Sequence, residues 1–315
     1  MKSDVIGQFL LHHEPSIRVT TLSLLVFAAS TTKPLTSAGA WAILKGLPYM
    51  HAESDPYSRG EILSLTRKLV TRIKSGIVTD QSMLSKDGNM ENGQDRNFSL
   101  NIEETQAVVD ACMDFLTGDL RPGTTYARHI TALKALVLVL QSGLDPRVND
   151  AIIKNLPGQN NRCVRTIDIF KPSLLRSLVD LLLDPFDDVR ATSLYIMKTF
   201  PREILMRGLP WYPDQSLEPV PHLIDALSRA EQLASNTSRA DHADTVARLY
   251  DLLFYAATTN CENKSESHWW ETKLQVVDHV LKKLEMKLSV PGDLFKSSMR
   301  DAPLHGFLSA LRYVP

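Results

Sequence analysis

A short turn motif that returns along the chain constrains the fold more than any other feature. Glu14-Pro15-Ser-Ile-Arg18, Asp55-Pro56-Tyr-Ser-Arg59 and Asp184-Pro185-Phe-Asp-Asp-Val-Arg190 each place an acid and a proline ahead of an arginine that opens an apolar helix. Arg121-Pro122-Gly-Thr-Thr-Tyr-Ala-Arg128 is a looser fourth copy. Proline is expected to end the first helix of a hairpin, while acids near the second helix satisfy free N–H groups and the helix dipole. Pro56, Asp184, Pro185, Asp187, Asp188 and Arg190 are therefore read as repeat-turn residues. Arg18 and Arg59 are 41 residues apart, within the usual HEAT/armadillo period; 69 and 62 residues separate the next pairs because loops are inserted.

The segments between these turns are helical in period. Val108, Cys112, Phe115 and Leu116 share one face, as do Leu223, Ile224, Leu227, Ala230 and Leu233 behind Pro221. Trp270, Leu274, Val277, Leu281, Leu284 and Leu288 repeat the pattern. Ser173 to Phe200 is the clearest hairpin: Leu174, Leu178, Leu181 and Leu182 on the first helix, Val189, Ile196, Met197 and Phe200 on the second. Ser58-Arg-Gly-Glu61 reads as a capping box ahead of the inward-facing Ile62, Leu65, Leu69, Val70 and Ile73. No run alternates strictly enough for a sheet. The expected fold is all-α, a HEAT/armadillo-like solenoid of stacked hairpins.

The expected organisation is helical repeats over 1–74, a polar, disordered loop over 75–101, a helical repeat over 102–143 and a loop over 144–168. Further helical repeats follow over 169–234, more helices over 235–290 and a last segment over 291–315.

Composition removes several function classes. With 35 Lys+Arg against 36 Asp+Glu, the net charge is −1, so polyanion contacts must be local. Cys112, Cys163 and Cys261 form no C-x-x-C pair, which argues against a disulfide framework or zinc site and for a reducing compartment. The N-terminus carries Asp4 where an export signal needs its basic region. The apolar runs 22–29 and 135–140 are too short to span a bilayer, so no membrane association is expected. Asn97, Asn236 and Asn263 begin glycosylation triplets that are read as chance matches.

Candidate chemistry is sparse. His12 and His13 are adjacent and diverge on a helix; Asp184, Asp187 and Asp188 sit where a hairpin turns and are read as caps. There is no G-x-G-x-x-G and no G-x-S-x-G, so no cofactor, small-molecule ligand or catalytic residue is expected. One local charge feature stands out. Arg59, Arg67, Lys68, Arg72 and Lys74 against Glu61 give one helix a net charge of +4, off its inward arc. These residues can neutralise phosphates along a nucleic-acid backbone, or form a solvated outer face. Arg162, Arg165, Lys171 and Arg176 make a weaker cluster, and Arg128 opens the most apolar helix, where backbone contact and packing are both open readings. Of the aromatic pair, Trp270 belongs to the apolar stripe and Trp269 stays unassigned.

Ser30-Thr-Thr-Lys-Pro34, Leu47-Pro-Tyr-Met-His51, Tyr126-Ala-Arg-His-Ile-Thr-Ala-Leu-Lys-Ala-Leu136 and the Leu181 to Arg190 turn together resemble the THADA family, the thyroid adenoma-associated protein and its fungal counterparts. Ala302 to Tyr313 resembles the entry into that family's DUF2428 domain. The resemblance implies a helical-repeat, non-catalytic partner of an FtsJ-like methyltransferase that modifies the 2′-hydroxyl of nucleotide 32 in the tRNA anticodon loop. It implies tRNA and that enzyme as partners and a cytoplasmic location. Candidate tRNA-backbone contacts are then Arg59, Arg67, Lys68, Arg72, Lys74 and Arg128. Family members are longer, and this chain stops in an apolar segment at Arg312-Tyr-Val-Pro315, which reads as a fragment. The family's arginine-rich signature deeper in DUF2428 has no counterpart here. The competing expectation is a generic HEAT-repeat scaffold or adaptor, which needs only the repeat surface; an enzyme with an unrecognised site would require a deep pocket with convergent titratable groups.

Overall fold

The computed structural model describes residues 3–27, 35–86, 102–145, 147, 167–201, 204, 205, 223–237 and 240–257, with single helical positions at 278, 281, 282 and 285. The described residues are helical, without strands, as the turn motif and the apolar period predict. The chain divides into two compact units, Met1–Ile169 and Phe170–Pro315. Several sequence readings fall outside the described residues: Ser30 to Pro34, 87–101, Arg162, Cys163, Arg165, Pro221, Cys261, Trp269, Trp270 and 291–315.

The first unit contains α1 (Ser3–Phe9), α2 (Pro15–Val26), α3 (Ser37–His51), α4 (Pro56–Lys86), α5 (Ile102–Asp119) and α6 (Tyr126–Gln141). Its contacts follow the hairpin logic. Successive odd helices pack together, α1 on α3 and α3 on α5, and successive even helices do likewise, α2 on α4 and α4 on α6. Hairpins α1/α2, α3/α4 and α5/α6 join the two layers. Between the layers lie Leu10, Leu22, Val26, Ile43, Leu47, Met50, Ile62 and Leu65, all buried. Each contributes on the order of 2 kcal/mol by leaving water, and no hairpin could bury this face alone. At Gly46 the chains approach so closely that a Cβ would lie 2.9 Å from the Leu10 Cβ.

The second unit contains α7 (Pro172–Leu181), α8 (Asp187–Met197), α9 (Leu223–Thr237) and α10 (Ala240–Ala257). The layer pattern repeats, with α7 beside α9, α8 beside α10 and hairpins α7/α8 and α9/α10. Leu174, Leu178, Val189, Ile196, Met197 and Phe200 are buried, as the stripe requires. Phe170 meets Phe200 edge to face at 4.7 Å. The fully buried Tyr250 donates its hydroxyl to Glu231 Oε1 at 2.7 Å. Burial and that carboxylate push its ionisation upward.

Three local readings are corrected. Ser75 to Lys86 are helical and extend α4 beyond the expected loop boundary; Ile77 continues the buried stripe four residues after Ile73. The cap of α4 is Asp55, whose Oδ2 accepts the Ser58 N–H at 2.8 Å, so Ser58 lies inside the helix. A carboxylate next to a proline at the first helical position offers a better acceptor and a pre-set φ; the bond lowers the ionisation range of Asp55. Pro15 and Pro56 begin the second helix of their hairpins, and end none. Pro185 lies in the turn before α8. Among the turn acids, Asp184 accepts the Phe186 N–H at 2.9 Å, while Asp187 and Asp188 occupy the first turn of α8, where the helix dipole favours them.

What the motif arginines do is more specific than opening a helix. Arg18 is buried, and its Nη1 donates to the carbonyls of His12 and His13 at 2.7 and 2.8 Å. Arg190 is buried too, and its Nη1 donates to the carbonyls of Asp184 and Pro185 at 2.7 and 3.2 Å. Both reach back to the residues six and five positions earlier, closing the turn's orphan carbonyls. In the looser copy a histidine takes part of this role: buried His129 places Nε2 at 3.2 Å from the Arg121 carbonyl.

Candidate nucleic-acid interface

The outward surface of α4 carries the strongest local positive charge, and packing sorts its cations. Arg67 and Lys68 are exposed; Arg59, Arg72 and Lys74 are half-buried. Arg72 Nη1 donates to the carbonyls of Leu25 and Val26 at 2.8 and 3.2 Å, closing the C-terminus of α2. Partial desolvation lowers its ionisation, which leaves a guanidinium charged at neutral pH. The Lys74 ammonium lies 3.4 Å from where a Cβ on Gly143 would stand. Gly143 follows α6 with φ +71°, so Lys74 faces the negative end of that helix. Lys68 sits over the ring of Phe27, with Nζ 3.9 Å from the centroid.

Arg67 faces the other way, into a groove of about 480 Å³ between α4 and α6. Gly60, Leu63, Ser64, Lys134, Leu138 and Gln141 line it as well. Neither Arg67 nor Lys134 has an acidic partner among the described residues, so the groove is positively charged. Lys134 was missed in the sequence. The signal was there: it is the one cation in the apolar run from Ile130 to Leu140, and a lysine there must face outward.

Arg128 is placed elsewhere, at the turn end of the hairpins. Its side chain is 36% exposed and its Nη1 is 3.5 Å from Asp119 Oδ1. The other oxygen of buried Asp119 meets His51 Nδ1 at 3.0 Å. An ionised carboxylate only accepts, which assigns the histidine's proton to Nδ1. Glu53, also buried, holds Arg18 at 3.0 Å and accepts the Ser54 and Asp55 N–H groups at 2.9 and 3.1 Å. Arg18 with Glu53, then His51 with Asp119 and Arg128, form a polar ladder across three successive turns. Tyr49 and Arg128 border a cleft of about 440 Å³ beside it. The charges in this ladder are mutually compensated.

Other chemistry-bearing groups do not converge. Among the described residues no cluster of three or more His, Cys, Asp or Glu could hold a metal ion. No helix among them is long and apolar enough to cross a membrane. A cavity of about 60 Å³ inside the first unit belongs to its apolar core, with Leu22, Ile43, Leu47, Met113 and Leu116 in its wall. Cys112 also lines it, and burial pushes that thiol up to about 12. In the second unit Lys171 is half-buried and Arg176 exposed.

Residues 1–191 of the 315 match the family described as Trm732, TPR repeats. The chain belongs to this family. The Trm732 match covers the whole first unit and ends just after Arg190, so it contains all four turn motifs, the α4 cations and the α4/α6 groove. The TPR description and the HEAT/armadillo reading agree on the unit that the structure contains, an antiparallel helix pair stacked on its neighbours. No solved structure matches the chain.

Proposed function

We propose that the chain is a non-catalytic auxiliary subunit in tRNA modification, assisting an FtsJ-like methyltransferase in 2′-O-ribose methylation at position 32 of the anticodon loop. Membership of the Trm732 family carries this reading. The THADA likeness of the turn and helix motifs supports its finer part, with the 291–315 segment read as the start of DUF2428. A cytoplasmic location belongs to the same reading. The subunit would act by position: gripping the tRNA and holding the loop before the partner's active site removes part of the entropic barrier, with no chemistry asked of the subunit itself. Of the proposed backbone contacts, Arg67 and Lys68 are the most exposed, and Arg59 and Arg128 are partly so. Arg72 and Lys74 act on helix ends, and their contribution would be to hold α4 in place.

The test is reconstitution of the chain with an FtsJ-like methyltransferase and unmodified tRNA, reading ribose methylation at position 32. Methylation should depend on the chain, and charge reversal at Arg67 and Lys68 should reduce it. Methylation that proceeds equally without the chain, or that is indifferent to it, refutes the proposal and returns the chain to the class of general helical-repeat scaffolds.

A further inference from the structure

We propose that the outer surface of the even-helix layer is a seat for single-stranded RNA, with a base stacked on Phe27 and the backbone running over Lys68 and Arg67 to Lys134. The inference rests on the tRNA reading above and specifies the strand form that this surface takes. Its basis is a continuous strip across three neighbouring helices. Phe27 caps the C-terminus of α2, and the residue is 52% exposed. Lys68 on α4 covers one side of that ring at 3.9 Å. The next residue back, Arg67, is also exposed and turns to the opposite flank of α4, into the groove shared with Lys134 of α6. Order along the strip is therefore ring, cation, cation, cation.

Each component suits a single strand better than its competitors. A half-exposed aromatic ring braced by a cation is a platform for one unstacked base, which a duplex cannot offer from its interior. The cations without acidic partners at Arg67 and Lys134 supply the backbone charge, and Ser64 and Gln141 between them add hydrogen-bonding groups. An acidic helix of a protein partner would need a deep apolar trough, yet Leu63, Val137 and Leu138 are only half-exposed and already pack α4 against α6. Arg72 is a positioning residue for this strip. By binding the carbonyls of Leu25 and Val26 it fixes the chain immediately before Phe27, at 2.8 and 3.2 Å. The Phe27 N–H is itself bonded to the Ser23 carbonyl at 2.8 Å.

Fluorescence anisotropy with the full chain and a short labelled oligoadenylate tests the proposal, beside a duplex RNA of equal length. Phe27→Leu should lower single-strand affinity about fivefold or more and leave duplex affinity unchanged. Phe27→Trp should restore it. Arg67→Gln with Lys134→Gln should reduce the slope of log affinity against log salt by about 1.4. Circular dichroism of each variant should match the parent. Unchanged oligoadenylate affinity in Phe27→Leu overturns the proposal, as does a loss that Phe27→Trp fails to restore. Equal displacement by polyglutamate at matched charge also overturns it, since that would reveal a plain cation cluster. Failure here is distinct from failure of the functional reading: single-strand binding without assistance to the methyltransferase would sink that reading alone, and assistance with an indifferent Phe27 would sink this one alone.

Discussion

Replacing Arg18 by methionine should destabilise the first unit by about 3–5 kcal/mol, far beyond what a surface arginine would cost. The magnitude follows from what the side chain holds. Arg18 and Glu53 are each 9% exposed and 3.0 Å apart, so solvent screens the pair little. Methionine keeps most of the volume but leaves the His12 and His13 carbonyls without their donor and a buried carboxylate without its cation. Glu53 retains the Ser54 and Asp55 N–H groups, which places the expected loss near the lower bound, about 3 kcal/mol. Arg18→Lys keeps the charge but reaches fewer of these acceptors, and should cost about 1–2 kcal/mol. In Arg18→Met with Glu53→Gln the losses should add to less than their sum by about 1–2 kcal/mol, since removing both partners strands neither. Hydrogen exchange of α2 and α3 peptides in a urea series is the suitable assay, because it resolves this unit from the second. An Arg18→Met chain whose α2 and α3 protection stays within about 0.5 kcal/mol of the parent would refute the argument.

Three further outcomes are expected. Burial raises the Cys112 thiol from its ordinary 9.0 to about 12. The unfolded chain therefore releases this proton first, and the contribution of Cys112 to stability, complete below pH 9, is lost as pH rises toward 12. Denaturation of Cys112→Ala against the parent, in a Cys163→Ser, Cys261→Ser background, should show a flatter pH dependence in that window for the alanine chain. Gly46→Ala should cost about 1–3 kcal/mol by driving a methyl against Leu10 between α1 and α3, read as faster exchange in both helices. Gly143→Ala should cost roughly 1–2 kcal/mol, because φ +71° strains any side chain and Lys74 crowds the same space; a gain in melting temperature would contradict it.

The helices were legible because one physical rule, burial of a stripe at helical spacing, decides both the sequence pattern and the packing. Ile62, Leu65, Val70 and Ile73 are buried as their spacing demands. The turn motif was legible as punctuation and obscure as mechanism. Nothing local in Glu14-Pro15-Ser-Ile-Arg18 says that the arginine turns inward, because its partner Glu53 lies 35 residues away and is chosen by the stacking. Asp55 outcompeting Ser58 as the cap was within reach of local chemistry, given the proline between them. The α4 charge pattern was visible, but the orientation of its members was not. Arg67 and Arg72 are the same residue type on the same helix, and only the neighbouring α2 terminus shows that Arg72 binds carbonyls. Phe27 lay beyond sequence reading for the converse reason, since it is not unusual until α2 and α4 are set side by side, whereas Lys134 was legible as an outward cation in an apolar run but not as a neighbour of Arg67.

This sorting changes what a net charge of +4 on one helix means. Charge counted along a sequence treats every cation as available to a polyanion. In the folded unit Arg72 and Lys74 are drawn to the negative ends of α2 and α6, the same electrostatic feature that would otherwise repel a phosphate there. Their field is largely cancelled locally, while that of Arg67, Lys68 and Lys134 projects outward. On the proposed reading the first unit then makes only a few phosphate contacts. Few contacts mean weak binding, a shallow dependence on salt and rapid release. A subunit that must present a loop to an enzyme and let the product go is better served by such a surface than by a tight one, provided the enzyme supplies a second attachment to the same tRNA. Two weak contacts on one molecule multiply through effective concentration, so selectivity would reside in the assembled pair and in the geometry that the turn arginines keep between hairpins.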